Sequence, residues 1–183
     1  MDVVYPHWRY WPAFTPPPDW VHPLVDVFEA HRSAIDSLVE HPSRMESDDV
    51  LRQLGDNLQV LGFAVERGKA RMRKLPRPVF FGDQGEYLRT YEIDAFCPDT
   101  GVALEVEAGR ATMGNAVYRD LIQASLMVDA RHLALAVPLE YRYMSGARQV
   151  RERSYAKTYS VIDAIYASRR LELPFDGLLL IGY

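Results

Sequence analysis

The chain has 183 residues, 48% of them hydrophobic, which suits one domain with a sizeable core. The charged fraction of 25% is ordinary, which excludes disorder over most of the chain. A net charge of −4 excludes a general coat of non-specific affinity for nucleic acid, though not a local basic patch.

Residues 1–23 hold all three tryptophans, Trp8, Trp11 and Trp20, with Tyr10 and Phe14, among Pro6, Pro12, Pro16, Pro17, Pro18 and Pro23. That proline density opposes a helix and an internal sheet strand, so the segment reads as an extended arm laid over the domain or a partner subunit. The same prolines, with His7 and Arg9, break any apolar run that would make a secretory signal. Residues 24–183 then read as a single α/β domain. Leu24 to Val39 has helical apolar spacing and stops before Pro42. Ser47-Asp48-Asp49 signals the start of a second helix, with Val50, Leu51, Leu54, Leu58 and Leu61 on one face and Gly62 ending it. Phe63 to Arg67 reads as a short strand. Lys69 to Arg77 reads as a loop carrying Lys69, Arg71, Arg73, Lys74 and Arg77, and Gly82 and Gly85 mark a turn. Tyr91–Cys97 and Val102–Ala108 are strands joined by a hairpin turn at Pro98-Asp99-Thr100-Gly101. Cys97 is the one cysteine, which excludes an intramolecular disulfide and a thiolate zinc cluster and fits a reducing cytosol. A helix is expected over 115–128, a buried strand over 132–137, a basic loop over 140–153, a helix over 155–167 and an apolar strand over 177–182. No run approaches the roughly 20 apolar residues that span a bilayer. The expectation is a cytoplasmic protein with a mixed sheet flanked by helices.

The chemistry concentrates on the first hairpin. Alternation puts Glu92 and Asp94 on one face of the first strand, and Glu105 and Glu107 on one face of the second. With Cys97 opposite Val102, Asp94 falls opposite Glu105 and Glu92 opposite Glu107. Opposed side chains lie about 5 Å apart, so four carboxylates there repel and require exposure, proton uptake or a divalent cation. Oxygen ligands of this kind suit Mg²⁺ or Mn²⁺. Such an ion activates water and polarises a phosphoryl oxygen, which phosphodiester hydrolysis needs.

At these residues the sequence resembles the PD-(D/E)XK nuclease superfamily, the restriction-endonuclease-like fold. Its signature is an acid on one strand and acid-x-lysine on the next, followed by a helix and a strand. Asp94 in Tyr-Glu-Ile-Asp-Ala-Phe stands for the first acid, and Glu105-Val106-Glu107 for the second element. The likeness covers roughly residues 48–138. Glu107 holds the lysine position, and this acid-x-acid version resembles the BamHI/BglII branch of type II restriction enzymes. The resemblance implies a restriction-endonuclease-like core and an Mg²⁺-dependent endonuclease of restriction or defence type. Asp94, Glu105 and the Val106 carbonyl would be its metal ligands, and Glu107 its general base or a further ligand. Glu92 is added from strand geometry alone. Asp49, Asp83 and Glu86 are candidates for one more acid. The implied partner is double-stranded DNA, and a homodimer is an expectation of the same kind.

A nuclease also needs cations for backbone phosphates. Lys69, Arg71, Arg73 and Lys74 are candidates, with Arg142, Arg148, Arg151 and Arg153 in the later loop. Asn115 and Arg119, at the start of the helix after the acids, are favoured over Gln123 as phosphate ligands. The alternative to an active enzyme is a catalytically idle nuclease-like fold that binds nucleic acid or protein. Scattered histidines (His7, His22, His31, His41, His132) show no metal-ligand spacing.

Overall fold

Two apolar runs, Leu133-Ala134-Leu135-Ala136-Val137 and Leu178-Leu179-Leu180-Ile181, are buried on both faces, as parallel strands inside an α/β sheet must be. A computed structural model describes residues 4–39, 45–68, 74–108 and 115–183. These runs become β7 (His132–Val137) and β10 (Gly177–Gly182), paired in parallel at the middle of a six-stranded sheet. The other members are β1 (His7–Trp11), β2 (Ala64–Val65), β5 (Ala95–Cys97) and β6 (Val102–Val106), in the order β1-β10-β7-β6-β5-β2. β6 runs parallel to β7, while β5 is antiparallel to β6 and β2 antiparallel to β5. The architecture is therefore mixed α/β, with helices over both faces of a mixed sheet.

One face carries α1 (Val21–Ala30), the short α2 (Arg32–Ile35) and α3 (Ser47–Val60), which bury Leu24, Phe28, Leu54 and Leu58 against Leu104, Val106, Ala134 and Leu179. The other carries α4 (Ala116–Ser125) and α5 (Ser154–Ser168), which bury Val117, Leu121 and Ile162 against Leu133, Leu135 and Leu180. The alternation of β7 supplies leucines to one core and alanines to the other. Glu46 caps α3 through a capping box with Asp49, one residue before the cap expected at Ser47. Pro23 lies in the first turn of α1, where a missing N–H leaves no intrahelical bond unmade.

The aromatic segment at the N-terminus is built into the sheet as its edge strand. β1 pairs antiparallel with β10, an edge position that prolines on either side tolerate. Trp11 is 1% exposed, and its Nε1 donates to Asp163 Oδ1 at 3.2 Å across to α5. The Tyr10 ring covers Gly177, where an added Cβ would lie 1.7 Å from the Tyr10 hydroxyl.

Four expected elements differ. The helix expected from Leu24 to Val39 is divided into α1 and α2 and ends at Ile35. The strand expected over 91–97 is divided at Asp94 into β4 (Tyr87–Ile93) and β5. β4 leaves the main sheet to pair with β3 (Leu75–Phe81), so part of the expected basic loop is strand despite Pro76 and Pro78. A two-stranded ribbon is all edge, which is where proline is accommodated in a ladder. The expected loop over 140–153 is a second ribbon, β8 (Tyr141–Ser145) with β9 (Arg148–Glu152). Among the described residues no helix is long and apolar enough to cross a membrane.

The contact at Gly177 is testable. Gly177→Ala should lower stability by about 1–3 kcal/mol, because both the glycine and the Tyr10 ring are buried and the ring has little room to retreat. Thermal melting against wild type measures it, and an unchanged midpoint would show the ring shifts freely.

Candidate active site

The site forms where the first strand breaks. The Cys97–Val102 register expected for the hairpin is present, and Ala95 sits opposite Leu104. One residue earlier the ladder ends, and the Asp94 side chain takes over. Its Oδ2 accepts the backbone N–H of Val106 at 2.8 Å, while its carbonyl accepts the N–H of Glu66 at 2.8 Å. Asp94 and Glu105 come together as expected, close enough to share a hydrogen bond. Strand alternation also aims the Val106 carbonyl to the side of its N–H, toward Asp94, since the N–H of Glu107 bonds to Ala136 on the opposite side.

Burial and mutual repulsion set the proton affinities. Desolvation pushes Asp94 up to about 6, against the lowering effect of the Val106 N–H, with the Glu66 charge adding to the rise. Desolvation, then the charges of Asp94 and Asp120, push Glu105 well above the ordinary carboxylate range. Glu107 rises to about 7, from desolvation first and then from Asp120. Arg119 opposes part of this, with one terminal nitrogen 3.2 Å from Glu107 Oε1 and 2.9 Å from Asp120 Oδ1. The Tyr183 hydroxyl donates to the Glu107 carbonyl at 2.8 Å, tying the site to the end of β10.

Two acids of the site were not expected. Glu66, just past β2, is 7% exposed and meets Lys74 Nζ at 2.6 Å. Asp120, on α4, is 2% exposed and holds Arg119. Asp120 had a signal: it stands three residues after Val117 and four before Ala124, on the buried stripe of α4, where an acid needs a reason. Glu66 had none beyond its place at a strand end. Its charge acts on Asp94, whereas the candidates for one more acid were Asp49, Asp83 and Glu86. Asp49 serves the α3 cap, and Asp83 and Glu86 lie at the far turn of the β3–β4 ribbon.

Glu92 is a correction. Its strand pairs with β3, so it faces Pro76 and not Glu107. Its side chain is 58% exposed and lies 3.6 Å from Lys74. The strand break at Asp94 removes the register on which the four-acid face depended. Lys74 moves in the other direction, from a candidate phosphate ligand to a member of the site. Its ammonium bridges Glu66 and Glu92 and feels the charge of Asp94, and the Glu66 hydrogen bond leads the causes that raise its pKa. Arg77, expected in the basic loop, pairs with Asp129 and stacks on Phe96, its guanidinium 4.0 Å from the ring centroid, so it is structural. Lys69, Arg71 and Arg73 lie outside the described residues, as does Arg110.

Two clefts flank α4, and one of them is lined by the cations that hold the acids. Lys74, Thr90, Glu92, Arg119 and Gln123 line one of about 610 Å³. Asn115 and Tyr118, on the same helix, line the other with residues of β9 and α5. Asn115 lines that second cleft, with φ 63° at the start of α4. Arg119 is committed to Glu107 and Asp120 and holds the acids more than it offers charge to a phosphate.

No protein-family model matches the chain, and no curated protein matches it. The reading of the site therefore rests on its residues and their geometry.

The donor set suits a hard divalent cation. Among the described residues no three acidic, histidine or cysteine side chains converge as a ready cluster. The paired carboxylates of Asp94 and Glu105 with the Val106 carbonyl are a two-carboxylate set, and Mg²⁺ commonly keeps several waters and uses one or two carboxylates. A cation there would offset the burial and the neighbouring negative charge that raise both acids.

The carboxyl shifts fix a pH dependence. Asp94 moves from 3.8 to about 6 and Glu107 from 4.5 to about 7, so the folded chain holds protons that the unfolded chain has released. Their contribution is fully present below pH 4 and is lost as pH rises through 6 to 7. In EDTA, the melting temperature relative to that of Glu107→Gln should fall as pH rises across this window. Parallel curves for the two proteins would show that Glu107 is not shifted.

Proposed function

We propose that the chain is a metal-dependent nuclease that hydrolyses phosphodiester bonds, with a restriction-endonuclease-like core and DNA as substrate. The observation that carries this reading is the Asp94–Glu105 pair set against Val106 at a strand break, with Lys74 close by. The order of elements supports it: α3 and β2, then, past the β3–β4 ribbon, Asp94 just before β5, Glu105 on β6, α4 and β7, the order of acids, helix and strand that the resemblance implies. A restriction or defence role, double-stranded DNA as the form cut, and a homodimer belong to the same proposal.

Asp94, Glu105 and the Val106 carbonyl would hold Mg²⁺ or Mn²⁺, which supplies polarisation of the phosphoryl oxygen and acidification of water. The protein's own groups do the rest. Glu107, raised to about 7, is poised to take the proton from the attacking water near neutral pH. Arg119 and the Tyr183 hydroxyl fix its side chain and backbone. Lys74, held by Glu66, brings positive charge to the face where the phosphate's charge develops. The idle binding module is favoured by one observation, the glutamate at the lysine position of the motif. Lys74 answers it by supplying a cation from the residue before β3.

Cleavage of mixed duplex and single-stranded DNA with Mg²⁺ or Mn²⁺ tests the proposal. Asp94→Asn and Glu105→Gln should each abolish metal-dependent cleavage. Glu107→Gln should lower it by about 10²–10⁴ while retaining DNA affinity. Lys74→Met, made together with Glu66→Gln so that no buried carboxylate is left unpaired, should cost about 10²–10³ in kcat. Wild type that cleaves no substrate with either metal would leave the idle module as the better reading.

A further inference from the structure

We propose that a second copy of this chain packs, across a two-fold axis, on the exposed apolar face formed by α4 and the β3–β4 ribbon. The proposal rests on the homodimer of the functional reading above and gives it a surface.

A helix over a sheet buries one apolar stripe and turns polar residues outward. α4 departs from that rule. Its buried stripe holds Val117, Leu121 and Ala124, yet Tyr118 and Ile122 are exposed, and Leu126 follows at the same four-residue step just past the helix. Val128 continues the exposed run. Its N–H donates to the Pro78 carbonyl at 3.0 Å, and the next residue, Asp129, pairs with Arg77. These two contacts stitch the end of α4 to β3. Apolar exposure resumes along the ribbon with Phe80, Phe81, Tyr87 and Leu88, where the Phe81 and Tyr87 rings meet at 5.3 Å. All eight side chains are 45–65% exposed. With about half of each open, they present on the order of 800 Å². The largest apolar patch on a typical monomer is roughly 300–600 Å². A stable complex covers about 800 Å² on each partner. The face is thus large for a free surface and sufficient for an interface.

The chemistry of the face selects its partner. None of the eight residues is charged, so the same surface on a second copy meets no like charge and is its own complement. The four-residue step of Tyr118, Ile122 and Leu126 makes one ridge, the shape that seats in the matching groove of another helix. A lipid surface or a DNA duplex asks for basic residues beside the apolar ones, and the ribbon turn carries Asp83 and Glu86 instead. Arg119 and Gln123, each one position past a ridge residue, line the cleft that Lys74 shares. The seam between copies therefore borders that cleft in both of them.

Sedimentation velocity on the full chain, in EDTA and without DNA, tests the proposal. Wild type should be a dimer at roughly 100 µM, above the micromolar end of affinities for interfaces of this size. Ile122→Glu made together with Leu126→Glu should weaken association by at least about thirtyfold. Phe80→Ser made together with Tyr87→Ser should weaken it as well. Phe14→Ser, at a still more exposed aromatic after β1 on the far margin of the sheet, should leave it unchanged. Circular dichroism selects the folded variants, and the helix pair and the ribbon pair each carry the test alone. A wild type that stays monomeric at this concentration overturns the proposal, including one that instead binds neutral lipid vesicles. A dimer that survives in the folded double variants overturns it, and so does assembly into open-ended oligomers. The two readings separate cleanly. Metal-dependent cleavage by a monomer defeats the interface and leaves the nuclease standing. A dimer that the double variants dissociate, but that cleaves nothing, defeats the nuclease and leaves the interface standing.

Discussion

The Asp94 carboxylate replaces a strand. Where β5 begins, the Val106 N–H loses a backbone partner and takes an Asp94 side-chain oxygen at 2.8 Å. This one hydrogen bond lets the sheet end without an orphan donor. It also holds Asp94 beside Glu105 at the point where β4 leaves for its own ribbon, and Val106's carbonyl lies on the same side as its N–H. Everything chemical about the site follows from that substitution of side chain for backbone. A continuous strand would satisfy Val106 through its partner's backbone and leave Asp94 no such role.

The cost of the arrangement is crowding of negative charge, and the surrounding cations answer it in two places. Lys74 sits against Glu66, and Arg119 against Glu107 and Asp120. Neither removes the repulsion at the Asp94–Glu105 pair, whose protons are held above the ordinary range. Partial compensation keeps the fold intact while leaving an attraction for positive charge at its centre. A fully neutralised cluster would be more stable and would offer a cation nothing.

Much of this was legible in the chain. The buried runs of β7 and β10, the amphipathic spacing of α3 and α4, and the Pro98–Gly101 turn each follow from a local rule, so strands, helices and the Cys97–Val102 register were readable. Asp94, Glu105 and Glu107 were readable from alternation and motif. The strand break was not, because alternation continues unbroken through Tyr91-Glu92-Ile93-Asp94-Ala95 and carries no mark of where a ladder ends. Glu92 was misplaced for that reason. The β3–β4 ribbon was hidden by Pro76 and Pro78, which lower strand propensity everywhere except at a free edge. Glu66 and Lys74 meet only because that ribbon and β2 converge in space, a tertiary fact with no local signature. Asp120 was the exception, an acid on an apolar stripe that could have been noticed.

The central sheet closes itself to growth at both sides. At one margin β2 is two residues long, too short to template a neighbour. At the other, Pro6 and Pro12 stand at either end of β1 and deny an incoming strand a continuous row of amide donors. Among the described residues, extension of the central sheet is thus opposed at both margins, and the strand edges left open to a neighbour are those of the β3–β4 and β8–β9 ribbons.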